Sequence, residues 1–189
     1  QIQADENRLN IIVPLLPHLS NHTDFDPLRC HPQVNLKFVP LDQSSCTGDL
    51  IILPGSKNVR ADLAYLRQYG WPQAIYRHLR LGGKVMGICG GMQMLGTTIE
   101  DDLGIEGSAG SSEGLGLLDF ATRLQGQKIL KCVSGVGVHP LFAQCQVEGY
   151  EIHAGISHGP AFGRPLFAIN GLPEGCINDE QSVLATYIH

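Results

Sequence analysis

The chain has 189 residues, a net charge of −5, 43% hydrophobic residues and 16% charged residues. These are the proportions of one globular domain that buries roughly 70% of its unfolded surface, neither disordered nor fibrous. The acidic balance supplies no basic stripe to neutralise phosphates, which excludes a general nucleic-acid binder. No apolar run approaches the roughly 20 residues of a membrane-spanning helix. The sequence starts at Gln1, shows no charged-then-apolar leader and stops at His189, and reads as a piece of a longer polypeptide.

In chain order, residues 10–16 form an apolar first strand cut short by Pro17. Residues 34–39 alternate apolar and polar side chains, as a half-covered edge strand does. Residues 49–53 form a short buried strand that stops at Pro54-Gly55. Between 61 and 81, Leu63, Leu66, Ile75 and Leu79 recur near helical spacing. Gly70-Trp71-Pro72 divides that stretch into two helices, and Gly82-Gly83 ends the second. Residues 84–89 form the next strand, followed by a helix over 93–96. Residues 100–116 mix acids with glycine and serine and read as a solvated surface loop. Short strands linked by turns follow at 118–124, 128–138, 146–153, 166–170 and 182–188. The expected fold is α/β and flavodoxin-like: a doubly wound, mostly parallel sheet with helices on both faces and an antiparallel extension.

Six cysteines stand at 30, 46, 89, 132, 145 and 176, with no C-x-x-C among them. No zinc or iron–sulfur ligand set is expected; His153 and His158 lack a third ligand. A domain of this size does not need disulfides, so the setting reads as reducing and cytoplasmic. Cys30, Cys46, Cys132, Cys145 and Cys176 are then small core or loop residues.

Cys89 differs from the other five. In Gly87-Ile88-Cys89-Gly90-Gly91-Met92 it sits at the bend between a buried strand and a helix. Such a bend cramps the backbone, glycines relieve the crowding, and the helix start favours thiolate over thiol. Those are the requirements of a nucleophile. In open α/β sheets chemistry lies at the carboxyl ends of strands, so a base should follow one. His189, after residues 182–188, meets that condition. His153 is the second candidate, on a strand where Glu151 and His153 share a face, and its simpler role is to shape a pocket wall. His18, His22, His31, His78 and His139 have no special context.

The cysteine segment, Pro54-Gly55 and the terminal Thr186-Tyr187-Ile188-His189 together resemble the class I (triad-type) glutamine amidotransferases. Within that class the chain is similar to the cobyric acid synthases, which amidate corrin side chains in cobalamin biosynthesis. Four segments carry this likeness in family order: residues 19–28, Pro54-Gly55-Ser56-Lys57-Asn58 with the residues after it, 87–96, and 149–155. The resemblance implies a single amidotransferase domain over 1–189, and a mechanism. Cys89 attacks the side-chain amide of glutamine, and His189 moves the proton. Backbone N–H groups of Gly90 and of Gly55 or Ser56 hold the oxyanion. Gln93, one helical turn past Cys89, contacts glutamine, and His153 lines its pocket. Water then hydrolyses the glutamyl thioester, and ammonia passes to a synthetase domain upstream in the same polypeptide, which binds the corrinoid. ATP and Mg2+ belong to that domain; no cofactor or metal is expected here, where no G-x-x-x-x-G-K-[ST] loop occurs.

The chain departs from the family pattern at Met92, Ala185 and Asp102, and it has no position two residues beyond the histidine for an orienting glutamate. A Cys–His dyad on a frayed terminus is the expectation, with weak glutamine hydrolysis by the fragment alone. Three alternatives share these features. They are an amidotransferase for another acceptor such as a cell-wall lipid intermediate, a cysteine hydrolase of similar fold, and a non-catalytic flavodoxin-like binding module.

Overall fold

The computed structural model describes residues 7–44 and 47–189, so Cys46 lies outside the described residues. The first half alternates as expected. Strand β1 (Leu9–Pro14) leads through a 3-10 turn, His22–Phe25, into the short helix α1 (Asp26–Cys30), and β2 (Val34–Val39) follows. Then come β3 (Leu50–Leu53), helices α2 (Val59–Gln68) and α3 (Trp71–Arg80), β4 (Lys84–Ile88) and α4 (Gly90–Leu95). The break between α2 and α3 has the anticipated cause. Gly70 takes φ 76, and Pro72 occupies the first turn of α3. Trp71, fully buried, donates its indole N–H to the Leu41 carbonyl at 2.9 Å and pins the corner.

The second half departs from the sequence reading. Residues 100–116 are not one solvated loop. They contribute β5 (Thr98–Asp101) and β6 (Gly110–Glu113), an antiparallel pair. Asp101 is completely buried and accepts from the amides of Ile105 (2.7 Å) and Glu106 (3.0 Å), so the intervening turn is held from inside. The segments 118–124 and 128–138 are one strand, β7 (Ala121–Gly137), whose register shifts between Leu124 and Ile129. Strand β8 (Gln146–His158) is longer than 146–153. β9 (Phe167–Ile169), β10 (Leu172–Glu174) and β11 (Cys176–Ile177) precede β12 (Val183–Thr186); β10 and β11 are too short to announce themselves.

The strands make two sheets. The first runs β11-β12-β4-β3-β1-β2, parallel except for β11, which is antiparallel to β12. The second runs β10-β9-β7-β5-β6, with β8 paired to β7, and is antiparallel apart from β5 with β7. It is the antiparallel part of the fold, built as a second sheet. On one face of the first sheet, Leu63, Leu66, Trp71, Ile75, Met92 and Leu95 from the helices pack on Ile12, Ile51 and Val85. On the other, Phe25 and Leu28 cover Ile11, Val13 and Ile52, while Val133, Phe167 and Ile169 of the second sheet cover Ile177, Leu184 and Ile188. Helices thus lie on both faces, with strands completing the second.

Among the described cysteines Cys176 is fully buried, whereas Cys30, Cys132 and Cys145 are exposed. No helix among the described residues is long and apolar enough to cross a membrane.

Candidate functional site

In the first sheet β4 lies between β3 and β12, all parallel, so their carboxyl ends share one edge. Gly55 and Ser56 follow β3, Cys89 follows β4, and His189 lies just beyond β12.

Cys89 has φ 53 and ψ −111, a conformation that costs a residue with a side chain about 1–3 kcal/mol and persists only where its surroundings enforce it. They do. Its amide donates to Thr186 O at 2.9 Å, and its carbonyl accepts from Gln93 N at 3.1 Å. A Cβ on Gly91 would stand 2.0 Å from the Leu53 carbonyl oxygen, and one on Gly87 2.6 Å from that of Gly91. The elbow exists because those positions lack side chains. The Cys89 thiol, 6% exposed, donates to Ile152 O at 3.2 Å.

Ser56 faces Gly90. Leu19 and Ser56 form an antiparallel bridge whose bonds run from Ser20 N to Gly55 O and from Lys57 N to His18 O. In such a bridge the amide of the central residue points away from its partner. The Ser56 nitrogen lies 2.9 Å from where a Gly90 Cβ would be, so the Ser56 main chain packs closely on the residue after Cys89. The loop is braced by Asp62, which is completely buried. Asp62 accepts from Ser56 Oγ (2.6 Å), from His18 N (3.2 Å) and from His18 Nδ1 (2.8 Å). His18 therefore has a context that its sequence neighbourhood did not show.

Gln93 is 2% exposed, on the Cys89 side of α4. Its Nε2 donates to Tyr187 Oη at 3.3 Å, while its Oε1 is buried without a hydrogen-bond partner. His153 donates Nδ1–H to Gly155 O (2.7 Å) and stacks on Tyr187 with ring centroids 3.8 Å apart. Burial lowers its pKa, so it stays neutral near pH 7. A neutral, doubly held ring is a wall rather than a proton carrier.

His189 is not frayed. Its backbone pairs with Tyr150 through bonds of 2.9 and 3.2 Å, and its side chain is fully buried. Nδ1 lies 2.6 Å from Asp24 Oδ2 and 3.4 Å from the Asn21 amide, and Nε2 has no hydrogen-bond partner. The ring stacks on Tyr150, centroids 5.1 Å apart and planes 11° from parallel. Tyr150 Oη donates to Asp24 Oδ1 at 3.0 Å. Burial, that bond, and the charges of Asp24 and Cys89 push the Tyr150 hydroxyl up to about 12. A Cβ on Gly55 would lie 3.2 Å from His189 Cε1, so His189 packs against Gly55.

Ser56, Cys89, Gly90, Gln93 and His153 line a cleft of about 240 Å³. That is below the roughly 300–1,000 Å³ of sites for drug-sized ligands and suits a molecule of amino-acid size. Two further lining residues are Lys57, which the sequence shows only as part of 54–58, and Glu106, one acid of the segment 100–116. Glu106 accepts from Val59 N at 2.7 Å, which ties the turn after β5 to the start of α2. The acids of that segment were visible as a charged loop; its fold over the cleft was not. Asp24 lies inside the quoted segment 19–28, but nothing in the spacing joined it to residue 189.

Comparison with known proteins agrees with this geometry. Residues 10–189 match the family model of the CobB/CobQ-like glutamine amidotransferase domain. Among solved structures the chain is similar to PurLQS from Thermotoga maritima (TM-score 0.70, 17% identity, 96% of this chain and 87% of that one). It is also similar to a chain described as glutamine amidotransferase (TM-score 0.64, 17% identity, 95% and 89%). A glutamine amidotransferase from Thermotoga maritima aligns with TM-score 0.60 at 12% identity, over 96% of this chain and 76% of that one. At these identities the structures attest the shared α/β fold, and the family match extends over almost the whole chain. An elbow cysteine, a facing loop packed on the next glycine and a buried histidine on one sheet edge thus belong to an enzyme of known class: the chain is a member of the CobB/CobQ-like glutamine amidotransferase family, within the class I glutamine amidotransferases.

Proposed function

We propose that this domain hydrolyses glutamine through a Cys89 thioester and supplies the ammonia for amidation of corrin-ring carboxylates, as in the cobyric acid synthases. The observation that carries the reading is the enforced φ of 53 at Cys89, beside the close packing of the Ser56 nitrogen on Gly90. Strain held at a nucleophile position is what a poised elbow requires.

In this reading the thiol gives its proton to His189 Nε2, and the sulfur bonds to the amide carbon of glutamine. The Ser56 and Gly90 amides hold the oxyanion, each donor being worth about 2.7–4 kcal/mol in comparable sites. The tetrahedral intermediate collapses, the C–N bond breaks, and the imidazolium protonates the leaving ammonia. Water, deprotonated by His189, then cleaves the thioester to glutamate and regenerates the thiol. Gln93 presents its unpartnered Oε1 to the substrate. Lys57 and Glu106, of opposite sign on the same cleft, match the carboxylate and ammonium of an amino acid. Ammonia moves on to a synthetase domain that precedes this one in the polypeptide and binds ATP, Mg2+ and the corrinoid.

The test has two parts. An electrophilic glutamine analogue should label Cys89 and be competed by glutamine but not by peptides; peptide competition would instead indicate a cysteine hydrolase. The full-length protein with ATP and glutamine should amidate a corrinoid acid. Cys89→Ser should abolish amidation from glutamine and spare amidation from ammonium salt. Amidation of a lipid-linked cell-wall precursor instead would replace the acceptor in this reading. Unchanged glutamine-dependent turnover in Cys89→Ser would sink it.

A further inference from the structure

The His189 side chain is buried with its two nitrogens in different situations. Nδ1 meets a carboxylate oxygen at 2.6 Å, and Nε2 meets no hydrogen-bond partner. A contact of that length to an acceptor-only carboxylate requires the proton on Nδ1 in the neutral ring, which leaves the Nε2 lone pair to receive one. The carboxylate is Asp24, 165 residues away in sequence. It sits on the 3-10 turn after β1, whose position is set by the buried Phe25 packed edge-on against Phe38 of β2. Its other oxygen accepts from Tyr150 Oη, and the Tyr150 ring lies flat on the imidazole. Both the direction of the carboxylate and the plane of the histidine are therefore fixed by groups from three different elements.

We infer that Asp24 is the positioning residue of His189, with Tyr150 as its strut, and that it supplies from the first loop the carboxylate partner of the base. The inference rests on the reading of His189 as the base. When the Cys89 S–H bond breaks and an Nε2–H bond forms, Asp24 stays ionised and keeps its bond to Nδ1–H, stabilising the imidazolium. Asp24 on the turn after β1 and Tyr150 on β8 meet the ring directly; His153 on β8 feels its charge, and the charge of Cys89 at the end of β4 acts on Tyr150. Asp24 is the one that a short bond joins to the ring.

The experiment uses the full-length protein and compares Asp24→Asn, Tyr150→Phe, His189→Ala and Cys89→Ser. Asp24→Asn keeps the shape and removes the charge. The expected result is a fall in glutaminase kcat of about 100-fold or more, within the span seen when such carboxylates are neutralised. The KM for glutamine should stay within a few-fold. The pH midpoint for alkylation of Cys89 by iodoacetamide should rise, because the imidazolium beside the thiolate is weakened. In a His189→Ala background the same change should leave the alkylation profile where it was. Tyr150→Phe should lose kcat several-fold with a smaller shift in the same direction. Nitrogen NMR of the wild-type protein, which no unfolded variant can spoil, should show His189 protonated at Nδ1 and not at Nε2 when neutral. An Nε2–H tautomer, near-wild-type turnover in Asp24→Asn, or an equal effect of Asp24→Asn without His189 would overturn the inference. If Cys89→Ser and His189→Ala are inactive while Asp24→Asn is normal, this inference alone fails. If Cys89→Ser and His189→Ala are active, the glutaminase reading fails and takes it along.

Discussion

Glu174 offers the sharpest thermodynamic test of the fold behind the site. Its side chain is 9% exposed and accepts from Thr186 Oγ1 (2.8 Å) and Tyr187 N (2.7 Å), the residues that carry the chain from β12 to His189. Burial pushes its pKa from 4.5 up to about 7, with the charge of Glu151 adding to the rise and the two hydrogen bonds opposing it. A carboxyl group with a raised pKa binds more protons folded than unfolded, so stability is fully present below the unfolded value and is lost as pH climbs through the folded one. At about 1.4 kcal/mol per unit, the loss between about pH 4 and about pH 8 comes to about 3 kcal/mol. Glu174→Gln removes this dependence and sacrifices one accepting oxygen, which costs about 1 kcal/mol at every pH. Urea unfolding of both proteins across that range should therefore give curves that cross. The variant should be the weaker near pH 4 and the stronger by about 2 kcal/mol near pH 8. A stability difference that stays flat from pH 4 to 8 would refute the argument that burial dominates at Glu174.

Other substitutions probe the elbow and the cleft. Gly91→Ala places a methyl 2.0 Å from the Leu53 carbonyl, which only backbone movement can relieve. The expected cost is about 3 kcal/mol or more by chemical denaturation, with loss of glutaminase activity; near-wild-type stability would show that the elbow yields. Asp62→Asn keeps one oxygen for the two His18 donors and replaces the other, the acceptor of Ser56 Oγ, by an NH2 group, and should cost about 1–3 kcal/mol. Its kcat should fall with the misplaced Ser56 amide, and a purely additive loss of stability without any change in kcat would count against the brace. Glu106→Gln keeps a side chain able to reach Val59 N and removes the charge on the cleft. Steady-state kinetics should show a KM for glutamine raised about 10-fold or more with kcat less affected, as for a group that binds substrate and transition state alike. The same loss for kcat alone would move Glu106 out of substrate binding.

What could be read without a structure was whatever the chain encodes locally. Residues 87–91 show their purpose in the string itself, because a bend that cramped excludes side chains at Gly87 and Gly91. The structure finds Leu53 and Gly91 carbonyls where those side chains would go. The break at Gly70-Trp71-Pro72 was equally plain, since a positive-φ glycine and a proline act on their own neighbours. The segment 100–116 defeats local reading for the opposite reason. Its acids look solvated, and only the burial of Asp101 against the amides of Ile105 and Glu106 turns the segment inward over the cleft.

The sequence by itself determined the class of fold, the cysteine at the bend and the placing of His189 just past a strand end, because strand ends, glycines and apolar runs act over a few residues. Only the tertiary structure decided that it is Ser56 whose nitrogen packs on Gly90. It also decided that Glu106 reaches the cleft and that Asp24 and Tyr150 hold His189. Those pairings join residues from different sheets and loops, where no periodicity links one partner to the other and packing alone brings them within bonding distance.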